Sequence, residues 1–333
     1  MTLNHRTLHT LGLYAILILS LASAGRLSAQ NLTLEGQTGG FITPTAYSVY
    51  MEKGQTFSHP VVGYHFVGTA KVIGNIQTVS ILEGFKNRGE IGYTRSIHTF
   101  GDSGSSTPLQ LSQLWHYSGM NIFNGKVVLL NDNREGWKPG LAVGGVVRTG
   151  DKFVTGAVGQ ELAGLEGILQ SAKASTNNDL YVAVSKTRLK APVPFLLNAG
   201  WKVTNASIFG IGGQSTRYEG RLFGGLGIPL PGPFKTAIVP AMGFTQEPPQ
   251  VKNLGAILVG GSAHLPTTMD YAVRVTQKDN AHFAFDIGMG KVAGQIGSTA
   301  VPTGLPSPYP PYVVLPINLK ANSVVGTGLS IRY

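Results

Sequence analysis

The last nine residues of the chain alternate between two kinds of side chain. One face carries Val325, Thr327, Leu329, Ile331 and Tyr333, and the other carries Gly326, Gly328, Ser330 and Arg332. A period of two with one apolar and one polar face is what a membrane-spanning β-strand requires. Because lone strands cannot satisfy their backbone groups in lipid, the pattern predicts a closed barrel.

The aromatic end of this strand adds a second signal. Tyr333 is the last residue, and Ile331 and Leu329 precede it on the same face. This ending resembles the C-terminal signature of bacterial outer-membrane β-barrels. The resemblance implies that Tyr333, Ile331 and Leu329 form the assembly signal read by the barrel-assembly machinery. It also implies that outer-membrane lipid surrounds the protein.

The first 29 residues have the layout of a secretory signal peptide. Arg6 precedes an apolar run from Leu11 to Leu21, and small residues follow it. The run is only about half of the roughly 20 residues that a spanning helix needs. We expect cleavage after Ala29, with Ala24 as the alternative. The predicted division is a signal peptide at 1–29, an N-terminal segment at 30–59 and a barrel at 60–333. The N-terminal segment is expected either to lie in the lumen or periplasm or to form a first hairpin.

Composition narrows the class of protein further. Cysteine is absent, which excludes a disulfide-stapled scaffold and thiolate chemistry. The 45 glycines and the low charged fraction of 13% suit a barrel, where glycine fits crowded lumen positions and permits bends. The formal charge of +10 falls to +8 when Arg6 and Arg26 leave with the signal peptide. A basic chain hints weakly at anionic partners, and no nucleic-acid partner is predicted.

Alternating runs recur along the chain and predict the strand count. They cover 60–67, 75–85, 88–98, 122–131, 139–149, 178–187, 194–205, 219–229, 234–245, 255–264, 268–278, 282–293 and 322–333. Short connections alternate with long ones, as periplasmic turns alternate with external loops in bacterial barrels. With 265–267 taken as a short connection, one more strand at 313–319 is needed for the last strand to run inward, despite Pro316.

The resulting prediction is an all-β, antiparallel transmembrane β-barrel of 14 strands, within a range of 12 to 16. Sixteen strands would result if residues 31–51 added a hairpin. Two further segments depart from the strand pattern. Residues 159–173 are predicted to form a short amphipathic helix, and the prolines of residues 299–311 predict an extended, unpaired turn.

The start of the mature chain carries a motif. Residues 36–47 read Gly-Gln-Thr-Gly-Gly-Phe-Ile-Thr-Pro-Thr-Ala-Tyr. This stretch resembles the TG-x-x-x-TPTA opening of exopolysaccharide-associated outer-membrane proteins of the YjbH type and of related barrel families. The resemblance implies a barrel in the outer membrane and a link to polysaccharide export, and it implies no catalytic residue. The alternative is that Gly39, Gly40 and Pro44 only shape a tight turn before the first strand.

Six charged residues on the polar faces of the predicted strands are the candidate site. They are Arg148, Lys202, Arg274, Arg332, Glu90 and Asp286. A charge facing lipid near the midplane costs about 2–4 kcal/mol, so these side chains are predicted to face the lumen. There they either line a path for anionic or sugar-like solutes or form structural ion pairs inside a filled barrel.

Catalytic chemistry finds little support in the sequence. Ser96 and His98 share one face of a predicted strand, but side chains at i and i+2 are expected to lie beyond hydrogen-bond distance, and no orienting acid is evident. The glycines at 288–294 lie within an alternating strand, which argues against a phosphate loop. No catalytic residue, cofactor or metal site is predicted.

Two functions therefore remain open. The first is a pore or export-associated channel for anionic or sugar-like solutes, or for a polysaccharide. The second is a non-enzymatic structural or adhesive outer-membrane protein that acts through the long loops 99–121, 150–177 and 299–311.

Overall fold

A computed structural model describes residues 31–52, 54–69, 74–99, 119–150, 176–206, 214–248, 265–277, 282–292, 294–304, 306–318 and 323–332. Its strands are β1 Val61–Gly68, β2 Asn75–Phe85, β3 Gly89–Thr99, β4 Gly119–Leu130, β5 Gly140–Gly150, β6 Thr176–Arg188, β7 Phe195–Ala206, β8 Gln214–Gly227, β9 Leu230–Pro231, β10 Thr236–Thr245, β11 Thr268–Gln277, β12 Phe283–Lys291, β13 Gln295–Pro302, β14 Tyr312–Asn318 and β15 Val324–Arg332. Among these described strands, twelve close into one antiparallel barrel, and the two-residue β9 pairs beside β10.

The barrel closes through its first and last strands. β1 pairs with β15 from Val61 opposite Arg332 to Gly68 opposite Val325. The remaining barrel strands pair with their neighbours in sequence, except that β12 pairs with β15. The prediction of an all-β antiparallel barrel is thereby confirmed.

The predicted count of 14 strands is not confirmed, because the sheet closes with twelve. β10 pairs directly with β11, with Thr245 opposite Thr268, so no strand of the sheet lies between them. The predicted strand at 255–264 lies outside the described residues. Residues 265–267, predicted to be a short connection, belong to the same connection as Gln246, between the end of β10 and the start of β11. The predicted strand at 313–319 corresponds to β14, which pairs with β13 in a separate hairpin and not with the barrel.

The two ends of the barrel differ in their connections. One end, the short-turn rim, carries the connections 86–88, 131–139, 189–194, 228–235 and 278–282. The other end, the long-loop rim, carries the connections 69–74 and 207–213 and the four longest ones, 100–118, 151–175, 246–267 and 292–323, the last of which contains the β13–β14 hairpin. Residues 299–302 are therefore paired in β13, contrary to the predicted unpaired turn. The predicted helix at 159–173 lies outside the described residues.

The strands place apolar side chains on the outer surface. In β3, Ile91, Tyr93 and Ile97 are exposed, whereas Thr94 and Ser96 between them are buried. The same arrangement recurs around the barrel, with exposed Tyr64, Val79, Ile81, Phe123, Val127, Leu180, Trp201, Leu222, Tyr271, Val273, Phe285, Ile287 and Leu329. The outer surface is thus an apolar belt, and the inner surface is polar.

Within the described ranges, no helix has the length and apolar character needed to cross a bilayer.

Residues 31–51 lie inside the barrel and do not extend its wall; we call them the plug. Their backbone hydrogen bonds are largely internal, as in Thr33 N to Gln37 O at 2.7 Å and Leu34 N to Phe41 O at 2.9 Å. Leu32 and Val49 of the plug pack with wall residues Val61 and Leu82 in a buried apolar cluster. The alternative of a hairpin in the wall, which would have given 16 strands, is therefore wrong.

Candidate functional site

The TG-x-x-x-TPTA motif forms the centre of the plug. Within it, Thr38 makes several polar contacts with the barrel wall. The Thr38 hydroxyl donates to Glu90 Oε2 at 2.7 Å, and its backbone N–H donates to Glu90 Oε1 at 3.1 Å. Lys126 on β4 donates to the Thr38 hydroxyl and carbonyl and forms an ion pair with Glu90 at 2.9 Å. Both charged side chains are fully buried. Thr38 is thus bound between two opposite charges of the wall.

A second contact is centred on Arg148 of β5. Its guanidinium donates to both carboxylate oxygens of Glu35 in the plug, with Nη2 at 2.8 Å from Oε2, and also to Asp179 Oδ2 on β6 at 2.7 Å. Asp179 additionally accepts a hydrogen bond from the Thr204 hydroxyl. Arg148 is only 1% exposed. Its charge is matched by one carboxylate from the plug and one from the wall.

The end of the motif is bound near the short-turn rim. The backbone N–H of Ala46 donates to Ser185 Oγ at 2.8 Å, and the Tyr47 hydroxyl donates to Asp132 at 2.8 Å. The Tyr47 hydroxyl also lies 2.6 Å from the Thr187 hydroxyl. Burial raises the pKa of Tyr47 well above its usual value, because a buried phenolate would lose its hydration. Tyr47 therefore acts as a neutral donor.

These contacts define a charged wall, made of β3 to β6, that faces the plug. Three residues of these contacts were missed by sequence reasoning: Glu35 of the plug, and Lys126 and Asp179 of the charged wall. The alternation of β4 and β6 would have placed Lys126 and Asp179 inward, since Phe123, Val127 and Leu180 on the same strands face outward. Glu35 lies in a segment without strand period, so no periodic signal identifies it.

The six predicted lumen charges all point inward. Glu90 and Arg148 contact the plug as described above. Arg274 donates to both oxygens of Asp286 at 2.7 and 2.8 Å, and its third nitrogen donates to Gly39 O in the plug at 2.9 Å. The Lys202 ammonium lies 3.9 Å from Glu247 Oε1. Arg332 donates to Tyr50 O at 3.5 Å and lies over the Tyr50 ring.

The predicted assembly residues lie on the outer face of β15 where the structure describes them. Leu329 and Ile331 are each 40% exposed, and Tyr333 lies outside the described residues. Their role in assembly stays a prediction.

Ser96 and His98 are closer together than the sequence analysis expected. Ser96 Oγ lies 3.1 Å from His98 Nε2, because the imidazole turns back along the strand. The expected separation beyond hydrogen-bond distance is therefore wrong. Thr78 and Met120 stand opposite Ser96 on the flanking strands, so neither of these positions supplies the acid that a catalytic triad requires.

A cavity of about 90 Å³ lies beside the plug, lined mainly by residues of the plug, of β7 and β8, and of β10 to β12. Its lining includes Asp270, two residues from the long-loop end of β11, and Thr276, one residue from the other end. Leu196 and Thr187 also line it, close to the short-turn rim. We call this cavity the passage, since its lining extends along nearly the full height of the barrel.

Small residues occupy several positions in the wall of the passage. We call β8 and β10 to β12 the small-residue wall, because its cavity-lining positions include Gly225, Gly227, Ala241, Gly243 and Ala272. The charged residues that line the passage, among those described, are Asp270, Arg274 and Asp286. The described residues contain no cluster of three or more His, Cys, Asp or Glu side chains that could hold a metal ion.

Comparison with known proteins gives matches among solved structures. No protein-family model matches the chain, and no curated protein matches it. The chain is similar to a structure described as KdgM porin, with 7% identity, coverage of 82% of this chain and 99% of that chain, and a TM-score of 0.40. It is also similar to OmpF from Salmonella typhi in complex with daunomycin, with 8% identity, coverage of 85% and 99%, and a TM-score of 0.30.

Proposed function

We propose that this protein is an outer-membrane channel whose plug narrows the lumen to the passage, so that small solutes cross along the small-residue wall. The observation that carries the proposal is the extent of the passage. Its lining reaches from Asp270 near one rim to Leu196 and Thr187 near the other. A barrel that served only as a scaffold would have no need of a cavity lined by residues near both rims.

The apolar belt supports a location in the membrane. Side chains such as Ile91, which is 72% exposed, and Trp201 would expose a large apolar surface to water in a soluble protein. Contact with lipid removes the free-energy cost of exposing this surface to water, and the closed sheet leaves no unpaired edge. The predicted signal peptide and C-terminal signature agree with an outer membrane, where bacterial barrels of this kind reside.

The plug is built in a way that favours movement as a unit. Because many of its backbone groups bond within the plug, displacement breaks mainly side-chain contacts to the wall. Glu35 with Arg148, and Thr38 with Glu90 and Lys126, are the strongest of these contacts. An open state would therefore require separation of buried charged groups, which favours the narrow state at rest.

The charges of the passage favour neutral or cationic solutes over the predicted anions. Arg274 is paired with Asp286, which leaves the carboxylate of Asp270 as the remaining charge. Arg148 and Lys202 instead face carboxylates next to the plug. We therefore propose small sugar-like or cationic solutes. Passage of a polysaccharide chain, as the family resemblance implies, would require the plug to leave the lumen.

Deletion of residues 31–51, with the signal peptide and residues 52–60 retained, tests this function in planar bilayers. We expect small conductance steps for the wild type and steps several-fold larger for the deletion variant, because the whole lumen then fills with water. Deletion of the β13–β14 hairpin, residues 295–318, is the matched control and should leave conductance unchanged. Heat-modifiable gel mobility verifies that each variant is folded. Absence of conductance from both the wild type and the plug deletion would contradict the proposal.

The second candidate is a structural or adhesive surface protein. The β13–β14 hairpin favours it, because this hairpin lies outside the barrel at the long-loop rim and exposes Tyr309, Tyr312 and Val314. A folded barrel without conductance, with or without its plug, would favour this candidate.

A further inference from the structure

Asp270 lies where two cavities meet. The passage touches it on one side, and a smaller cavity of about 40 Å³ touches it on the other. Phe41 of the plug and Ala272 also line both cavities. The residues opposite Asp270 on the two neighbouring strands are Gly243 and Gly290, which have no side chains to fill the space around the carboxylate.

The carboxylate of Asp270 is buried without a hydrogen-bond partner at Oδ1. The residue is only 7% exposed, and Oδ1 has no donor within reach. Such a group is costly in a folded protein, which usually provides a partner for each buried polar atom. The carboxylates of Glu90 and Asp286 on the wall strands each have a partner, Lys126 for Glu90 and Arg274 for Asp286.

Arg274 does not fill this role. It lies four residues along β11, about 13 Å away between Cα atoms in an extended strand. Its guanidinium is bound to Asp286 and to the Gly39 carbonyl. When Asp270 is ionised, the side chains of Asp270, Arg274 and Asp286 together carry two negative charges and one positive charge, so the site then lacks one cation.

We propose that the two cavities at Asp270 bind a small aliphatic ammonium ion, with its N–H groups donating to Oδ1 and its alkyl group against Phe41 and Ala272. The inference rests on the proposed function, since the passage supplies the route to the site. An ammonium group carries three donors and one positive charge, as the carboxylate requires. The two cavities that meet at Asp270 have volumes of about 90 and 40 Å³, and a ligand of roughly four non-hydrogen atoms would occupy only the part of this space next to the carboxylate.

Binding of n-propylammonium to the full-length, detergent-folded protein tests the proposal. Calorimetry or ligand-detected NMR would compare it with 1-propanol, which has the same number of non-hydrogen atoms, and with propionate. We expect the ammonium to bind at least about tenfold more tightly than the alcohol, and propionate not to bind, because only the ammonium brings a positive charge to its hydrogen bond with the carboxylate.

Asp270→Asn should weaken ammonium binding by about tenfold or more, because it removes the charge and keeps the size. Glu135→Gln is the control, since it removes an exposed carboxylate in a turn at the opposite rim from Asp270. If Asp270→Asn does not fold, Gly243→Ala serves instead. Its Cβ would lie 2.4 Å from Asp270 Oδ1 and would compete with the ligand nitrogen.

Equal binding of the ammonium and the alcohol, unchanged affinity in Asp270→Asn, or no ammonium binding at all would overturn the proposal. The channel is tested separately by conductance. Conductance without ammonium binding would leave the channel intact and remove the site. Binding without conductance would retain the site and remove the channel.

Discussion

The charged wall and the small-residue wall are both built from strands with alternating side chains, but they differ in how closely they contact the plug. On the charged wall, long side chains such as Lys126 and Arg148 reach the plug and fill the space in between. On the small-residue wall, Gly225, Ala241 and Ala272 stop short of it and leave the passage. Alternation therefore decides which residues face the lumen, and the size of the inward side chain decides whether the lumen is filled.

The walls also differ in how they treat buried charge. Arg148 is matched by Glu35 and Asp179, and Lys126 by Glu90. Asp270 on the opposite side has no such partner at Oδ1. Removing one member of a matched buried pair is strongly destabilising, because the charge left behind has lost its water and its partner. The two walls should therefore respond differently to mutation.

The largest effect is expected for Arg148→Met. This substitution leaves Glu35 and Asp179 buried without their shared cation, and we expect the free energy of unfolding to fall by about 3–5 kcal/mol. Denaturant unfolding in detergent would measure the change. Lys190→Met is the control, since it removes an exposed ion pair with Glu135 and should have no measurable effect. A loss for Arg148→Met as small as that of the control would mean that the charged wall does not hold the plug.

The next largest effect is the pH dependence of stability that comes from Glu247, whose Oε1 lies 3.9 Å from the Lys202 ammonium. Burial raises the pKa of Glu247 to about 7, although the Lys202 charge opposes the shift. The folded state therefore binds a proton more strongly than the unfolded state does. Stability is highest below the unfolded pKa of about 4.3 and falls as pH rises toward 7, by up to about 3 kcal/mol from this group.

Glu247→Gln should remove this part of the pH dependence, because the amide does not titrate. Unfolding midpoints measured from pH 4.5 to 8 would show it as a flatter profile. Glu135→Gln is an informative contrast, since the hydrogen bond from Lys190 lowers the pKa of Glu135, so that its contribution has the opposite sign and is lost as pH falls. An unchanged profile for Glu247→Gln would show that Lys202 keeps this carboxylate ionised.

The smallest effect is the loss of stability expected when one glycine of each wall is replaced by alanine. In Gly144→Ala, the new Cβ would lie 2.4 Å from the Tyr181 ring and 2.8 Å from the Gly125 carbonyl, so we expect a loss of about 1–3 kcal/mol. In Gly243→Ala, the Cβ would meet the end of the Asp270 side chain, which can move into the neighbouring cavity. We expect a loss below about 1 kcal/mol. Equal losses in unfolding experiments would mean that the small-residue wall is as rigid as the charged wall.

The sequence was sufficient to predict the wall of the barrel, because a period of two is a local property. It correctly indicated antiparallel strands and an apolar outer face, as in β3 and β15. It overcounted strands at 313–319 because β14 does alternate, but its partner is β13 and not a barrel strand. Pairing partners are non-local, and no local pattern distinguishes a barrel strand from a hairpin strand.

The candidate site was less accessible to sequence reasoning. The alternation of side chains along β5 was enough to place Arg148 inward. Its partner Glu35 lies 113 residues away along the chain, in a segment without such alternation. Asp270 shares a face with Arg274, so its orientation could be inferred. That Gly243 and Gly290 stand opposite it follows only from the register of β10 and β12. Cavities depend on such juxtapositions, which one strand cannot reveal.

Leu32 of the plug contacts both strands of the seam where the barrel closes. Its backbone N–H donates to Ser330 Oγ on β15 at 3.4 Å, and its carbonyl lies 3.1 Å from His65 Nε2 on β1. A slip of β15 by two residues against β1 would preserve every inward and outward assignment, so alternation alone cannot prevent it. Leu32 disfavours such a slip, because Ser330 would move away and the hydrogen bond from the Leu32 N–H would be lost. The register of β15 against β1 is thus stabilised by a plug residue that belongs to neither strand.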